Sequence, residues 1–333
     1  MTIENDFLPF ATANGANVLT QAQYAALAAL ATGYQSGVAN SAQLNKTWRQ
    51  SSIMAAVLAQ FIVNSTGQPA IDDGTTATLL ANLAAAVSAN SEALIGSARN
   101  LSMYVATASA TATLTADEII VGSALGGLKY TVAGFNKTIN LATTGAGGMD
   151  TGTAPVSGYV ALYAIYNPAT GGSALLATNA TSAAAPNVYG GASLPVGYTA
   201  SALVSVWPTN SSGQFIVAFQ RDRHVSFAYT GVLTASTASF PSFTALSIGG
   251  AVPKNATAVS GELLAGSNTS STIVLSVAAS STGIGQHAVQ QNNATYIVGN
   301  YELDLAIPQT MYYTATASAG TLNMSISVSS YRF

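Results

Sequence analysis

Between residues 20 and 34 apolar side chains return at helical spacing. Tyr24, Leu27, Ala31 and Tyr34 follow a Thr20–Gln23 pair that has the form of a capping box, and Gly33 supplies the stop. A longer helix is expected next, with Ser41 as its cap. In it Leu44, Trp48, Ala55, Leu58 and Ile62 make one apolar stripe, while Met54, Val57 and Phe61 make another. A helix with two stripes needs two partners. The N-terminal region offers one further helix, capped by Thr76, carrying Leu79, Leu80, Leu83 and Val87 and fading through Ser88 to Ser97. That is too little cover, so helices of other subunits are expected to complete the packing, with Leu44, Trp48, Met54, Val57, Leu58 and Phe61 at the interface.

From Leu101 onward the pattern changes to short apolar runs rich in Val, Ile, Thr, Tyr and Phe, separated by Gly, Pro and Asn. Such text predicts strands. The clearest lie at 159–166, 200–207, 214–219, 225–229, 272–277, 296–307, 311–317 and 323–328. Their uneven spacing suits β-sandwiches, and neither a fixed period nor a heptad array nor collagen triplets encode a shaft. A Ser/Thr/Pro-rich stretch, TASTASFPSFTALSIGGAVP, marks a boundary within 232–253. The fold class expected is α+β, mainly β: a short N-terminal helical bundle over 1–100, a first β domain over 101–235 and a C-terminal β-sandwich over 236–333, assembled as an oligomer.

Composition and charge change this picture further. Only 6% of the 333 residues are charged, against about 25% in ordinary soluble domains, so solubility has to come from Asn, Ser, Thr and other neutral groups. Mean hydropathy is +0.36, yet no apolar run reaches the roughly 18 residues that span a bilayer; a membrane-spanning chain is not expected. Nine basic residues against 12 acidic ones leave no basic stripe for phosphates, which disfavours nucleic acid as a partner. The absence of cysteine means that rigidity must come from packing and subunit pairing. Glu4 and Asp6 occupy the place of a basic n-region and Pro9 interrupts the apolar residues, so the N-terminus does not read as a signal peptide.

Candidate chemistry is sparse. Glycoside hydrolysis needs two carboxyl groups about 5 to 10 Å apart. In the β region the acids are Asp117, Glu118, Asp150, Asp222, Glu262, Glu302 and Asp304. Only Glu302 and Asp304 are placed together, on one strand face about 7 Å apart, as on a solvated sheet. The densest charge cluster, Arg221 to His224, reads as a turn between strands or as a sugar or phosphate contact. His224 and His287 lack metal-ligand spacing, and the glycine-rich GAGGMDTG at 145–152 lacks the lysine and helix of a phosphate loop. No catalytic residue, cofactor or metal is expected. Aromatics remain for recognition, because a flat ring can stack on a sugar. Those beside loop-forming residues are Tyr189 in NVYGG, Tyr198 in PVGYT and Trp207 before Pro208; inward packing is the competing reading for each.

Several segments carry a family resemblance: FLPFA at 7–11, QYAAL at 23–27 and SGVANSAQLNKTWRQSSIMAAVLAQFI at 36–62, then more loosely YVALYAIYNP at 159–168 and VYGGASLPVGYTASALVSVWP at 188–208. The text, most closely over 5–62, resembles tail fibre proteins of bacteriophages and prophages. The resemblance implies a virion protein, made in the host cytoplasm and acting outside the target cell, that attaches to a bacterial surface. A homotrimer is expected, held to a tail or baseplate protein through its N-terminus and contacting surface glycan or lipopolysaccharide with its β region. Phe7, Leu8 and Phe10 are the expected hydrophobic anchors, unless they pack on the chain's own helices. A polysaccharide-degrading tail protein and a purely structural collar or connector are the alternatives.

Overall fold

Thr20 Oγ1 accepts a hydrogen bond from Gln23 N–H, and Gln23 Oε1 accepts one from Thr20 N–H at 3.0 Å, closing the expected capping box. The computed structural model, which describes residues 3–38, 40–89 and 93–333, breaks the predicted first helix into α1 (Gln21–Ala25) and α2 (Ala29–Thr32). Tyr24 is the only buried residue of the two, so tertiary packing gives this marginal length little reason to stay continuous. Helix α3 (Ser41–Thr66) is capped by Asn40 rather than Ser41: the Asn40 carboxamide accepts from the N–H groups of Ala42 and Gln43, whereas Ser41 Oγ accepts from Asn17. The helix ends at Gly67, in the left-handed conformation at φ +67°. Helix α4 (Ala77–Ala89) follows. The expected fading through Ser97 crosses residues 90–92, which lie outside the described residues.

The described residues fall into two compact units that divide between residues 92 and 93, with 127–129 counted in the first. In the first unit an extended segment lies against α3. Asp6 N–H donates to the Ala70 carbonyl at 3.0 Å, Ala70 N–H to that of Glu4 at 3.1 Å, and Phe10 N–H to Ser52 Oγ at 2.9 Å.

The second unit is β throughout, and it takes all of the strands apart from Lys129, the first residue of the fourth. Its strands are β1 (Ala98–Arg99), β2 (Ser102–Val105), β3 (Thr111–Gly122), β4 (Lys129–Asn140), β5 (Tyr159–Asn167), β6 (Gly172–Asn179), β7 (Ala200–Pro208), β8 (Ala218–Arg221), β9 (His224–Ser236), β10 (Phe240–Ser247), β11 (Ala258–Ala278), β12 (His287–Asp304), β13 (Thr310–Ala317) and β14 (Leu322–Arg332). They join one antiparallel network in the order β10-β13-β11-β14-β9-β8-β2-β3-β7-β5-β6, with β1 and β4 on β3 and β12 on β11. The chain is thus mainly β, with one large antiparallel sheet.

Several of these strands escape the sequence pattern for physical reasons. In the first half of β3 buried Ala112, Leu114 and Ala116 alternate with Thr, and two of the three are too small to mark a face. The stretch read as a boundary contains the end of β9 and all of β10. Pro241 is tolerated there because β10 is the edge strand and its register with β13 breaks between Phe240 and Thr244. The strand expected at 214–219 begins at Ala218.

Strands β5 and β7 are buried almost end to end, which explains their nearly continuous apolar text. One face, with Val160, Leu162, Ala202, Val204 and Trp207, belongs to the main core. The other, with Tyr159, Tyr163, Ile165, Leu203 and Val206, forms a smaller core.

Candidate functional site

The smaller core is covered by the connection between β6 and β7, residues 180–199, and this is where Tyr189 and Tyr198 lie. Both are half-buried and pack on that core together with Ala185 and Leu194. So long a connection without regular structure is uncommon unless it has a function, and here side chains pin it down. Asn255 brackets Ala185 with two bonds of 2.8 Å, its carboxamide accepting from the N–H and donating to the carbonyl. Lys254 Nζ donates to the Ser182 carbonyl at 2.8 Å, and Tyr189 N–H to Ser201 Oγ at 2.9 Å.

Loop 145–152 buttresses the same site. A Cβ on Gly148 would lie 2.4 Å from the Thr143 carbonyl oxygen, so only glycine lets the loop fold back on itself. Met149 is buried as a plug, and Asp150 N–H donates to the Ala177 carbonyl at 2.7 Å. The Asp150 carboxylate then accepts a 2.9 Å bond from the Tyr189 hydroxyl. Burial, reinforced by that bond, pushes the Tyr189 phenol up to about 12, so it remains a donor at neutral pH. Tyr163 meets Tyr189 edge-on at 5.4 Å and donates its own hydroxyl to the Pro186 carbonyl at 2.8 Å.

Between these groups is a cleft of about 280 Å³ bordered by Tyr163, Thr178, Asn179, Pro186, Tyr189 and Gly191. None of the described residues lining it is charged. Neutral hydrogen-bonding groups beside aromatic edges suit an uncharged polar ligand.

Trp207 does not belong to this site, and its reading as an exposed stacking residue is corrected. It is fully buried on the opposite face of β7, edge-on to Phe215 at 6.3 Å, and its indole N–H donates to the Ile216 carbonyl at 3.2 Å. Burial of β7 on both faces outweighs the neighbouring Pro208. Tyr296, passed over because it sits inside a strand pattern, is instead 56% exposed on β12. Its polar neighbour Thr295 and its place in alternation with Ile297, which is buried, were the available signals.

Other candidates separate. Arg221 to His224 form the β8–β9 hairpin turn, with Asp222 at φ +52°. Glu302 and Asp304 point outward on β12, and Glu302 pairs with Arg332 on a solvated surface. His224 starts β9 and His287 starts β12.

In the first unit Phe7 lines an apolar cleft of about 180 Å³ with Leu58, Ile62, Leu79 and Leu83, so it faces the chain's own helices. Leu8 is 78% exposed, and Phe10 meets Trp48 edge-on at 6.0 Å. Along α3, Leu44 and Phe61 are half-buried, whereas Trp48, Met54, Val57 and Leu58 are exposed. No described helix is long and apolar enough to cross a membrane.

No protein-family model matches the chain, and no curated protein matches its sequence. Among solved structures it is similar to the insecticidal delta-endotoxin Cry8Ea1 from Bacillus thuringiensis, at 10% identity and a TM-score of 0.20, over 69% of this chain and 52% of the endotoxin. A Cry1Da tryptic core variant from Bacillus thuringiensis gives 9% identity and a TM-score of 0.18 over 73% and 54% of the two chains. The chain spans about half the length of these endotoxin structures, and likeness this loose carries no argument about fold or function.

Proposed function

We propose that this chain is a tail-fibre-type receptor-binding protein that works as a parallel homotrimer, attaching a virion to a bacterial surface by binding neutral surface glycan without cleaving it. The observation that carries the reading is the row Met54, Val57, Leu58 and Phe61 on α3. These positions follow i, i+3, i+4, i+7, and the first three are 59%, 55% and 47% exposed within one chain. An apolar row of that kind on a chain otherwise kept in water by neutral polar groups favours burial against copies of itself. Helices from three chains would complete the short N-terminal bundle.

Leu8 and Phe10, with their apolar surface outward, are the positions this reading assigns to docking on a tail or baseplate protein. The binding surface belongs to the β region. There the Tyr189 cleft offers neutral groups on a braced loop, and three copies engaging a surface together make weak contacts useful. Labelled protein mixed with a panel of bacterial strains tests the proposal: saturable adsorption to some strains, abolished by periodate oxidation of their surface sugars, is expected. Adsorption to no strain would overturn it.

A further inference from the structure

Strands β11 and β12 pair from Ala258 opposite Asp304 to Val277 opposite His287, and their register breaks twice between Gly266 and Ile273. Such irregularities bend a strand and re-aim its side chains. At the bend β11 exchanges partners: up to Ser267 it pairs with β14, and from Ile273 with β13. Gly266 therefore lies in register between Tyr296 of β12 and Asn323 of β14, all on one face. Its missing side chain leaves a notch. A Cβ there would sit 3.9 Å from Tyr296 Cδ2 and 3.1 Å from the Thr295 carbonyl oxygen. The notch opens into a groove of about 570 Å³ lined by Tyr296, Asn268, Asn323, Thr295 and Thr321.

One wall of the groove is braced. Asn268 Oδ1 accepts from Thr321 N–H at 2.8 Å, and Ser267 Oγ donates to the Ala319 carbonyl at 2.8 Å, tying the β13–β14 turn to the bend. The side chain of Asn323 and the hydroxyl of Tyr296 make no hydrogen bond to the described residues, and Asn268 keeps its NH₂ group unused. An exposed ring thus stands beside carboxamides and hydroxyls that can both donate and accept. No residue lining the groove carries a charge.

We propose that this groove is a saccharide-binding site, in which a neutral pyranose lays its C–H face on Tyr296 while its hydroxyls bond Asn268, Asn323, Thr295 and Thr321. A lipid or other apolar ligand would want an enclosed apolar cavity, and an acidic sugar or phosphate would want a cation. The alternation of C–H and hydroxyl groups around a sugar ring matches what the groove offers. The assignment rests on the surface-attachment reading for the source of the sugar, and it adds a site separate from the Tyr189 cleft.

The test uses the full chain with Tyr296→Ala, Tyr296→Phe and Asn323→Ala on an array of neutral and acidic bacterial oligosaccharides, beside adsorption to cells. Tyr296 and Asn323 are exposed, so the variants should melt like the parent. The parent is expected to bind a neutral glycan, Tyr296→Ala to bind it about tenfold or more weakly, and Tyr296→Phe to lose less because it keeps the ring. Unchanged binding in Tyr296→Ala and Asn323→Ala, or binding of acidic glycans alone, overturns the assignment. Adsorption of the parent to cells without binding to any glycan removes the groove but leaves attachment standing; adsorption to no strain removes both.

Discussion

At the scale of single residues, burial decides what an aromatic can do. Trp207, beside a proline, reads as a loop residue, yet β7 is buried on both faces, so the indole becomes core whichever way it points. Trp207→Ala should cost about 3 to 5 kcal/mol of stability, the usual range for emptying such a site, measured by denaturant unfolding. Binding to cells should persist wherever the variant is folded. Burial acts on the phenols as well. Tyr159, Tyr163, Tyr301 and Tyr331 are all raised above 10.0, first by burial, and Tyr189 reaches about 12. The folded state thus prefers the neutral phenol. Its stabilisation is complete below the ordinary value of 10.0 and declines as pH rises through the folded values. Phenolate absorbance followed with circular dichroism should show a group of tyrosines ionising only as the fold is lost. Titration of all 15 tyrosines near their ordinary value, with the fold intact, would contradict this. The Gly-rich setting singles out Tyr189 as a candidate in the sequence, whereas no local signal joins it to Asp150, which holds its hydroxyl, because their bond spans 39 residues.

At the scale of elements, the sequence pattern was most informative where apolar residues are large and periodic. Helix α3 is readable from its two stripes, and β5, β7, β13 and β14 from Val, Ile and aromatic runs. Stretches built on Ala and Thr, such as the first half of β3, carry the same alternation with less of the contrast that reveals it. The bend of β11 at Gly266 depends on which neighbours the strand acquires, and local text does not encode that. The exposed row on α3 makes a sharp prediction. If the chain assembles as proposed, Met54→Asp with Val57→Asp should convert the trimer to chains of 33.5 kDa, because a charge desolvated between apolar helices costs more than the contact returns. Met54 and Val57 are exposed in the single chain and do not line its Phe7 cleft, so the helical unit should keep its circular dichroism. Light scattering that shows the same mass before and after the change would argue against α3 as the interface.

At the scale of the whole molecule, low charge governs behaviour. The chain has a formal net charge of −3 from only 21 charged residues. The one ion pair among the described residues, Arg332 with Glu302, has both side chains more than half exposed. Pairs of that kind contribute about 0 to 1 kcal/mol, so salt should alter neither the fold nor its contacts very much. The proposed recognition rests on neutral hydrogen-bonding groups at the Tyr189 cleft and on the exposed Tyr296 ring beside Gly266. The most direct measurement is the concentration of purified protein that half-saturates receptive bacterial cells, taken from about 0.05 to about 0.5 M NaCl, where the Debye length falls from roughly 14 to roughly 4 Å. Neutral recognition predicts saturable binding whose midpoint moves by less than about threefold across that series. A steep loss of binding with salt, or the absence of saturable binding to any strain, would contradict it.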